Sequence, residues 1–194
     1  LNRKSLYLMA GLALALALVN AAVFVYYPMS IGLSPQKPPV YFDLGSNANQ
    51  KDLWGNTITV SLSEANTNLA VQVNPTYQDN YYKNITVIKN QDTNPDDVYY
   101  ILFNVTDTIS DTNVTTAELI VSDSSGTPIA TIDLKTNGVQ PSSWITVNPG
   151  ETLTVSLKIT ITPDSGVTYS TSPSLADGSA IVKLIYSPQN SESP

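Results

Sequence analysis

Three kinds of residue in this sequence have the type and spacing to do chemistry: clustered carboxylates, lysines beside β-patterned segments, and asparagines in glycosylation sequons. Asp92, Asp96 and Asp97 fall within DTNPDD, and Asp107 and Asp111 follow closely. Grouped carboxylates suit Ca²⁺, which takes an all-oxygen shell, but the spacing is not that of an EF-hand loop. A solvated acidic loop is the simpler expectation, and no metal site is assigned. Lys83, Lys89 and Lys158 lie in or beside strand-like stretches. Next to an Asn or Asp side chain, such a lysine could close an intramolecular isopeptide bond; the plain alternative is a surface lysine. Asn84-Ile85-Thr86, Asn104-Val105-Thr106 and Asn113-Val114-Thr115 are N-glycosylation sequons, whereas Asn74-Pro75-Thr76 is blocked by its proline. Asn104 is out of phase with Ile101, Phe103 and Val105, so the alternation turns it to solvent. N-glycans on Asn84, Asn104 or Asn113 are the only prosthetic groups expected.

What is absent narrows the chemistry further. The sequence has no histidine and no cysteine. That removes the commonest general base, the usual transition-metal ligands, thiolate chemistry and disulfide staples. Catalysis would have to rest on carboxylates, lysine or tyrosine, and neither a Gly-rich phosphate loop nor a nucleophile elbow is present. The chain is expected not to be an enzyme. Arg3 is the only arginine and the formal charge is −7, so phosphate forks are lacking and nucleic acid is repelled. Charged residues make up 13%, against about 25% in ordinary soluble domains. Thr, Ser and Asn carry the polarity instead, which suits an extracellular surface. Tyrosines number 11, with pairs at Tyr26-Tyr27, Tyr81-Tyr82 and Tyr99-Tyr100. Neighbours on a strand face opposite ways, so each pair supplies one core or rim ring and one exposed ring.

These residues must be positioned by strands. Residues 40–44 fit a short strand, and period-two alternation then recurs at 57–62, 69–73, 85–88, 98–105, 117–121, 129–134, 144–147 and 179–186. It is clearest over 152–162, where Leu153, Val155, Leu157, Ile159 and Ile161 face one way. On a helix those positions would spread around the whole cylinder. DSSGTP joins two of the strands as a hairpin, and Asn148-Pro149-Gly150 is a turn. About nine strands with no helix after residue 28 predict an all-β fold, a two-sheet sandwich of immunoglobulin-like type. Residues 163–179 are expected to form a long Ser/Pro/Gly loop.

The N-terminal segment is different. Residues 6–18 are Leu/Ala-rich and uncharged, preceded by Arg3 and Lys4, while 23–33 are β-branched and aromatic. Val19-Asn20-Ala21 gives a small-residue pattern before a cut at Ala21/Ala22, so the leading expectation is a signal peptide over 1–21. A second reading is a retained membrane helix over 6–27. A third is a type IV pilin-like helix in a filament core, with Leu1 as the end left by a pre-pilin peptidase. Pro35, Pro38 and Pro39 break the chain before the body.

Taken together, a Leu/Ala segment, then VFVYYPMSIGLSPQKPPVYFDLGSNANQKDLWGNTITVSLSEANTNLAVQV, NPTYQDNYYKNITVIKN, VYYILFNV and the late unit NPGETLTVSLKI resemble the secreted thread and bundling-pilus filament subunits of thermophilic archaea. Those proteins are distant relatives of the TasA/camelysin-like biofilm fibre proteins of bacteria. The resemblance implies a sandwich completed by donor-strand complementation, with a strand at 22–34 filling the next subunit. The donor residues would be Val23, Val25, Tyr27, Met29, Ile31 and Leu33, followed by a Pro-rich spacer to residue 39. The division implied is 1–21 signal or helix, 22–39 donor and spacer, 40–187 sandwich, and 188–194 polar tail. The expected protein is a glycosylated filament subunit at the cell surface, serving adhesion or biofilm cohesion. Its partners would be copies of itself, other filaments or cell surfaces. It would touch a membrane only transiently or through the N-terminal segment. A type IV pilin-like filament and a membrane-anchored monomer are the alternatives.

Overall fold

The computed structural model describes residues 2–19, 29–34, 37–53, 55–63, 65–76, 78–162 and 178–191. The chain forms two compact units, Leu1–Gln36 and Lys37–Pro194. In the first, α1 spans Arg3–Val19. Ala, Leu and Met favour helix intrinsically, and the Asn2 carbonyl accepts the N–H groups of Ser5 and Leu6 to start the first turn. No acidic residue stands in that turn and no basic one in the last, so side chains do nothing to complement the helix dipole. Leu6, Tyr7, Leu8, Met9 and Leu12 are all exposed. At 17 residues, α1 is about 26 Å long. Among the described residues no helix is long and apolar enough to cross a membrane. Residues 29–34 are irregular and exposed.

The second unit is an all-β body, with ten strands among the described residues. They are β1 (Val40–Leu44), β2 (Thr59–Ser63), β3 (Asn68–Gln72), β4 (Gln78–Asn90), β5 (Tyr99–Asp107), β6 (Val114–Ser122), β7 (Pro128–Asp133), β8 (Gly138–Val147), β9 (Thr152–Ile161) and β10 (Ile181–Ser187). A five-stranded sheet runs β1-β4-β9-β6-β7, a three-stranded sheet β10-β5-β8, and β2 and β3 form a separate hairpin. Every ladder is antiparallel.

β9 is the keel. It pairs with β4 on one side and β6 on the other, and Leu153, Val155, Leu157, Ile159 and Ile161 are all buried. They meet Ile101, Phe103 and Val105 of β5 and Val147 of β8 in one core that also takes in Val40, Phe42, Ile85 and Ile88. Asn90 locks the layers together: its Nδ2 donates to the Asp97 and Val147 carbonyls at 2.9 and 3.2 Å, and its Oδ1 accepts from the Asp92 N–H. A buried amide satisfied in this way joins the sheets without an unpaired polar atom.

β4 is longer than the expected 85–88 because its first half is polar and interrupted. Its register with β9 shifts between Tyr82 and Thr86, and Asn84 sits there in the left-handed region (φ 50°), a β-bulge. The Asn84 N–H donates to Ser156 Oγ at 3.0 Å. Gly45 lies against the Asn84 backbone, where a Cβ has no room. β8 likewise begins earlier than the expected 144–147, because residues 141–144 bulge between the pairs Ile101↔Ile145 and Phe103↔Gln140. Most of the expected 163–179 loop lies outside the described residues.

Candidate functional site

Among the described residues, the second layer of the body is interrupted. β8 packs beside β7 and β2 beside β1, and β7 and β1 are the two ends of the five-stranded sheet. The three-stranded sheet therefore starts from one end and the hairpin from the other. β10, at the far side of its sheet from β8, is the strand that faces the break, and among the described residues it pairs only with β5. Val182 and Leu184 of β10 are only partly buried against the core. So are Leu62 of β2, Leu69 and Val71 of β3, and Val73 just after it. Half-covered apolar side chains thus flank the break on both sides.

Three of the other sheet ends are interrupted or covered. β7 begins with Pro128 and β8 contains Pro141, and proline interrupts the row of edge donors. The outer side of β1 is engaged by the hairpin turn, through Phe42 N–H to the Asn66 carbonyl at 2.9 Å. β10 has no proline within Ile181–Ser187 and one lysine, Lys183. Among the described residues its outer edge carries no partner strand.

Of the predicted donor residues, Val23, Val25 and Tyr27 lie outside the described residues. Met29, Ile31 and Leu33 are 80%, 71% and 87% exposed. Between and after them stand Ser30, Gly32 and Ser34. As a strand this stretch would carry one large apolar face and one of small residues.

The sequons differ in their surroundings. Asn84 Nδ2 donates to Ser46 Oγ at 2.8 Å, and its Oδ1 is buried with no partner among the described residues. The Thr86 hydroxyl is fully buried and donates to the Asp43 carbonyl at 2.7 Å. Asn104 is half-buried in mid-strand, opposite Lys183 on one side and Val139 on the other. Asn113 stands in the turn before β6, its N–H held by Asp111 Oδ1.

The other chemical candidates scatter. Tyr99 Oη donates to Asp92 Oδ2 at 3.0 Å, and burial, with that bond and the charges of Asp92 and Asp97, pushes its phenol up to about 12. No acidic cluster fit for a metal occurs among the described residues. Lys89 donates to Asp43 Oδ2 at 2.6 Å, and Lys158 sits between Tyr81 of β4 and Glu118 of β6. Tyr81 is exposed and Tyr82 buried, as alternation requires. Tyr99 and Tyr100 are both half-buried, Tyr99 packing edge-on to Tyr186 at 6.2 Å.

No protein-family model and no curated protein matches the chain. The functional reading therefore rests on the residues, the resemblance in sequence pattern and the open edge.

Proposed function

We propose that the chain is a structural subunit of an extracellular filament, assembling head to tail by strand donation. Residues 22–34 of one copy, Val23, Val25, Tyr27, Met29, Ile31 and Leu33 inward, enter the break beside β10 of the next. The observation that carries this reading is the pairing of an unblunted edge, bordered by half-covered apolar residues, with an exposed alternating segment in the same chain. Strand addition supplies a row of backbone hydrogen bonds and pockets for alternate side chains. Each buried apolar donor residue contributes about 1.5–3 kcal/mol. Since donor and acceptor are different surfaces, the contact is heterologous and propagates as a fibre. Function would then be mechanical, in adhesion or biofilm cohesion, with no turnover.

Deleting 22–34 from the mature protein is expected to leave a folded monomer and abolish filaments in negative-stain micrographs. Filaments that persist after the deletion sink the reading. N-terminal sequencing of the native filament is expected to find Ala22 or Val23.

One observation favours a second reading. The surface of α1 over residues 3–13 has no polar face beyond its first turn, and a helix apolar all round belongs in a membrane or a helical core. A type IV pilin-like filament would use it so, and its mature subunit would retain α1 ahead of Ala22.

A further inference from the structure

The first half of β4 opens onto a cleft that strand donation does not use. β1 pairs with β4 only as far as Leu44↔Thr86, so residues 78–82 have β9 on one side and, among the described residues, no strand on the other. The loop of residues 47–53 stands opposite, leaving a cavity of about 520 Å³, within the range of small-molecule clefts, about 300–1,000 Å³.

Its lining is unusual in kind. The amides of Asn47, Gln50, Asn74, Gln78 and Asn80 dominate, and the charges of Lys51 and Lys83 offset those of Asp52 and Asp79. Asn80 braces the wall: its Nδ2 donates to the Thr76 and Gln78 carbonyls, and its Oδ1 accepts from the Thr76 N–H and hydroxyl. Asn47 Nδ2 donates to the Lys83 carbonyl at 2.7 Å. Gln78, whose carbonyl accepts from Asn80, stands at φ 123°, a conformation that persists in a side-chain-bearing residue only where the surroundings impose it. The side-chain amides of Gln50, Asn74 and Gln78 have no partner among the described residues. Beside them Tyr81 is 54% exposed. Tyr82 is buried, and burial together with the charge of Asp52 pushes its phenol up to about 12, so it stays a neutral hydroxyl at any ordinary pH.

We infer that this cleft binds a neutral polyhydroxylated ligand, a short glycan segment, with Tyr81 as the stacking ring and Gln50, Asn74 and Gln78 as the hydroxyl-reading amides. An amide offers donors and an acceptor together, which matches a hydroxyl that is both. The offsetting charges give no purchase to phosphate or to a metal ion. An apolar ligand would leave the free amides desolvated and unpaired. A glycan meets both conditions and lays a C–H face on the ring. The inference does not depend on filament assembly, because the cleft lies within one copy of the body. Two sources supply the same chemistry: a glycan on a neighbouring copy of this chain, and one on a foreign surface.

The test titrates the full-length protein with maltotriose, cellotriose, mannotriose and chitotriose, read by calorimetry and saturation-transfer NMR. At least one trisaccharide is expected to bind, and Tyr81→Ala and Gln50→Ala are each expected to weaken it at least about ten-fold. Both residues are exposed, so melting should not change. Conservative Tyr81→Phe should retain most of the binding. Binding by none of the four sugars, or binding indifferent to Tyr81→Ala, overturns the inference. So does a synthetic 22–34 peptide that occupies the cleft in place of sugar. Self-association of glycosylated protein that disappears with Tyr81→Ala assigns the ligand to the chain's own glycans. Sugar binding without such self-association assigns it to a foreign surface.

Discussion

Gly45 is where a single atom decides whether the fold closes. A Cβ there would run into the Asn84 backbone, and that backbone is already fixed by Asn47 N–H to the Asn84 carbonyl and Gly45 N–H to the Ile85 carbonyl. Gly45→Ala is expected to destabilise by about 1–3 kcal/mol through forced backbone movement, read as a lower urea midpoint with an unchanged slope. The Asp43–Lys89 pair behaves oppositely, as a weak and conditional contribution. The bond from Lys89, and then the Leu44 N–H, hold the Asp43 carboxyl below 3.8, while the bond to Asp43 raises Lys89 above 10.5. The stability from Asp43 is therefore present above its unfolded value and lost as pH falls through its lower folded value. That from Lys89 is complete below its unfolded value and lost as pH rises through the higher folded one. Both side chains are 38% exposed, so screening limits the pair to at most about 1 kcal/mol. The difference in stability between the natural protein and Asp43→Asn should be flat between about pH 5 and 9 and shrink as the pH falls below the ordinary carboxylate range. Among the sequons, glycopeptide mass spectrometry is expected to find higher occupancy at Asn113 than at Asn84. Glycosylating Asn84 would break its Ser46 bond and push a sugar against a buried oxygen; occupancy in the reverse order would contradict that.

Among the elements, β9 and β10 mark the extremes. β9 is flanked on both sides and its inward row is buried throughout, so it read from the sequence without error except at its last residue. The same holds for β1, whose expected and observed bounds coincide. β4 and β8 were half-read. Their polar halves carry a bulge each, and a bulge resets the alternation that period-two reading depends on. β10 was legible as a strand but not as an edge, because edge status depends on which strands fail to pair with it. If the donor reading holds, Ile31→Asp exchanges about 1.5–3 kcal/mol of burial for a buried carboxylate. It should shift sedimentation from polymer to monomer while leaving the melting of the β body unchanged, since Ile31 is already 71% exposed there.

For the whole molecule, no disulfide contributes to stability, since the sequence contains no cysteine. A polymer of such subunits would be held by ladders that must be broken several bonds at a time. Hundred-fold dilution of assembled filaments is therefore expected to release little monomer over hours, whereas denaturant near the midpoint of the body should release it readily. Rapid disassembly on dilution would mean a surface contact in place of an inserted strand. The glycan cleft adds a second, independent contact at the loop end of β4, reversible where the strand joint is durable.

The sequence by itself determined the all-β class, the position of most strands and the exclusion of histidine- or thiol-based chemistry. Those follow from alternation and composition, which are local properties. Only the tertiary structure decided that the described strands leave the second layer broken beside β10, that Asn90 ties the sheets together, and that Gln50, Asn74 and Gln78 share a cleft with Tyr81. Strand order and cleft walls are set by antiparallel pairing between distant segments, and no window of sequence contains both partners.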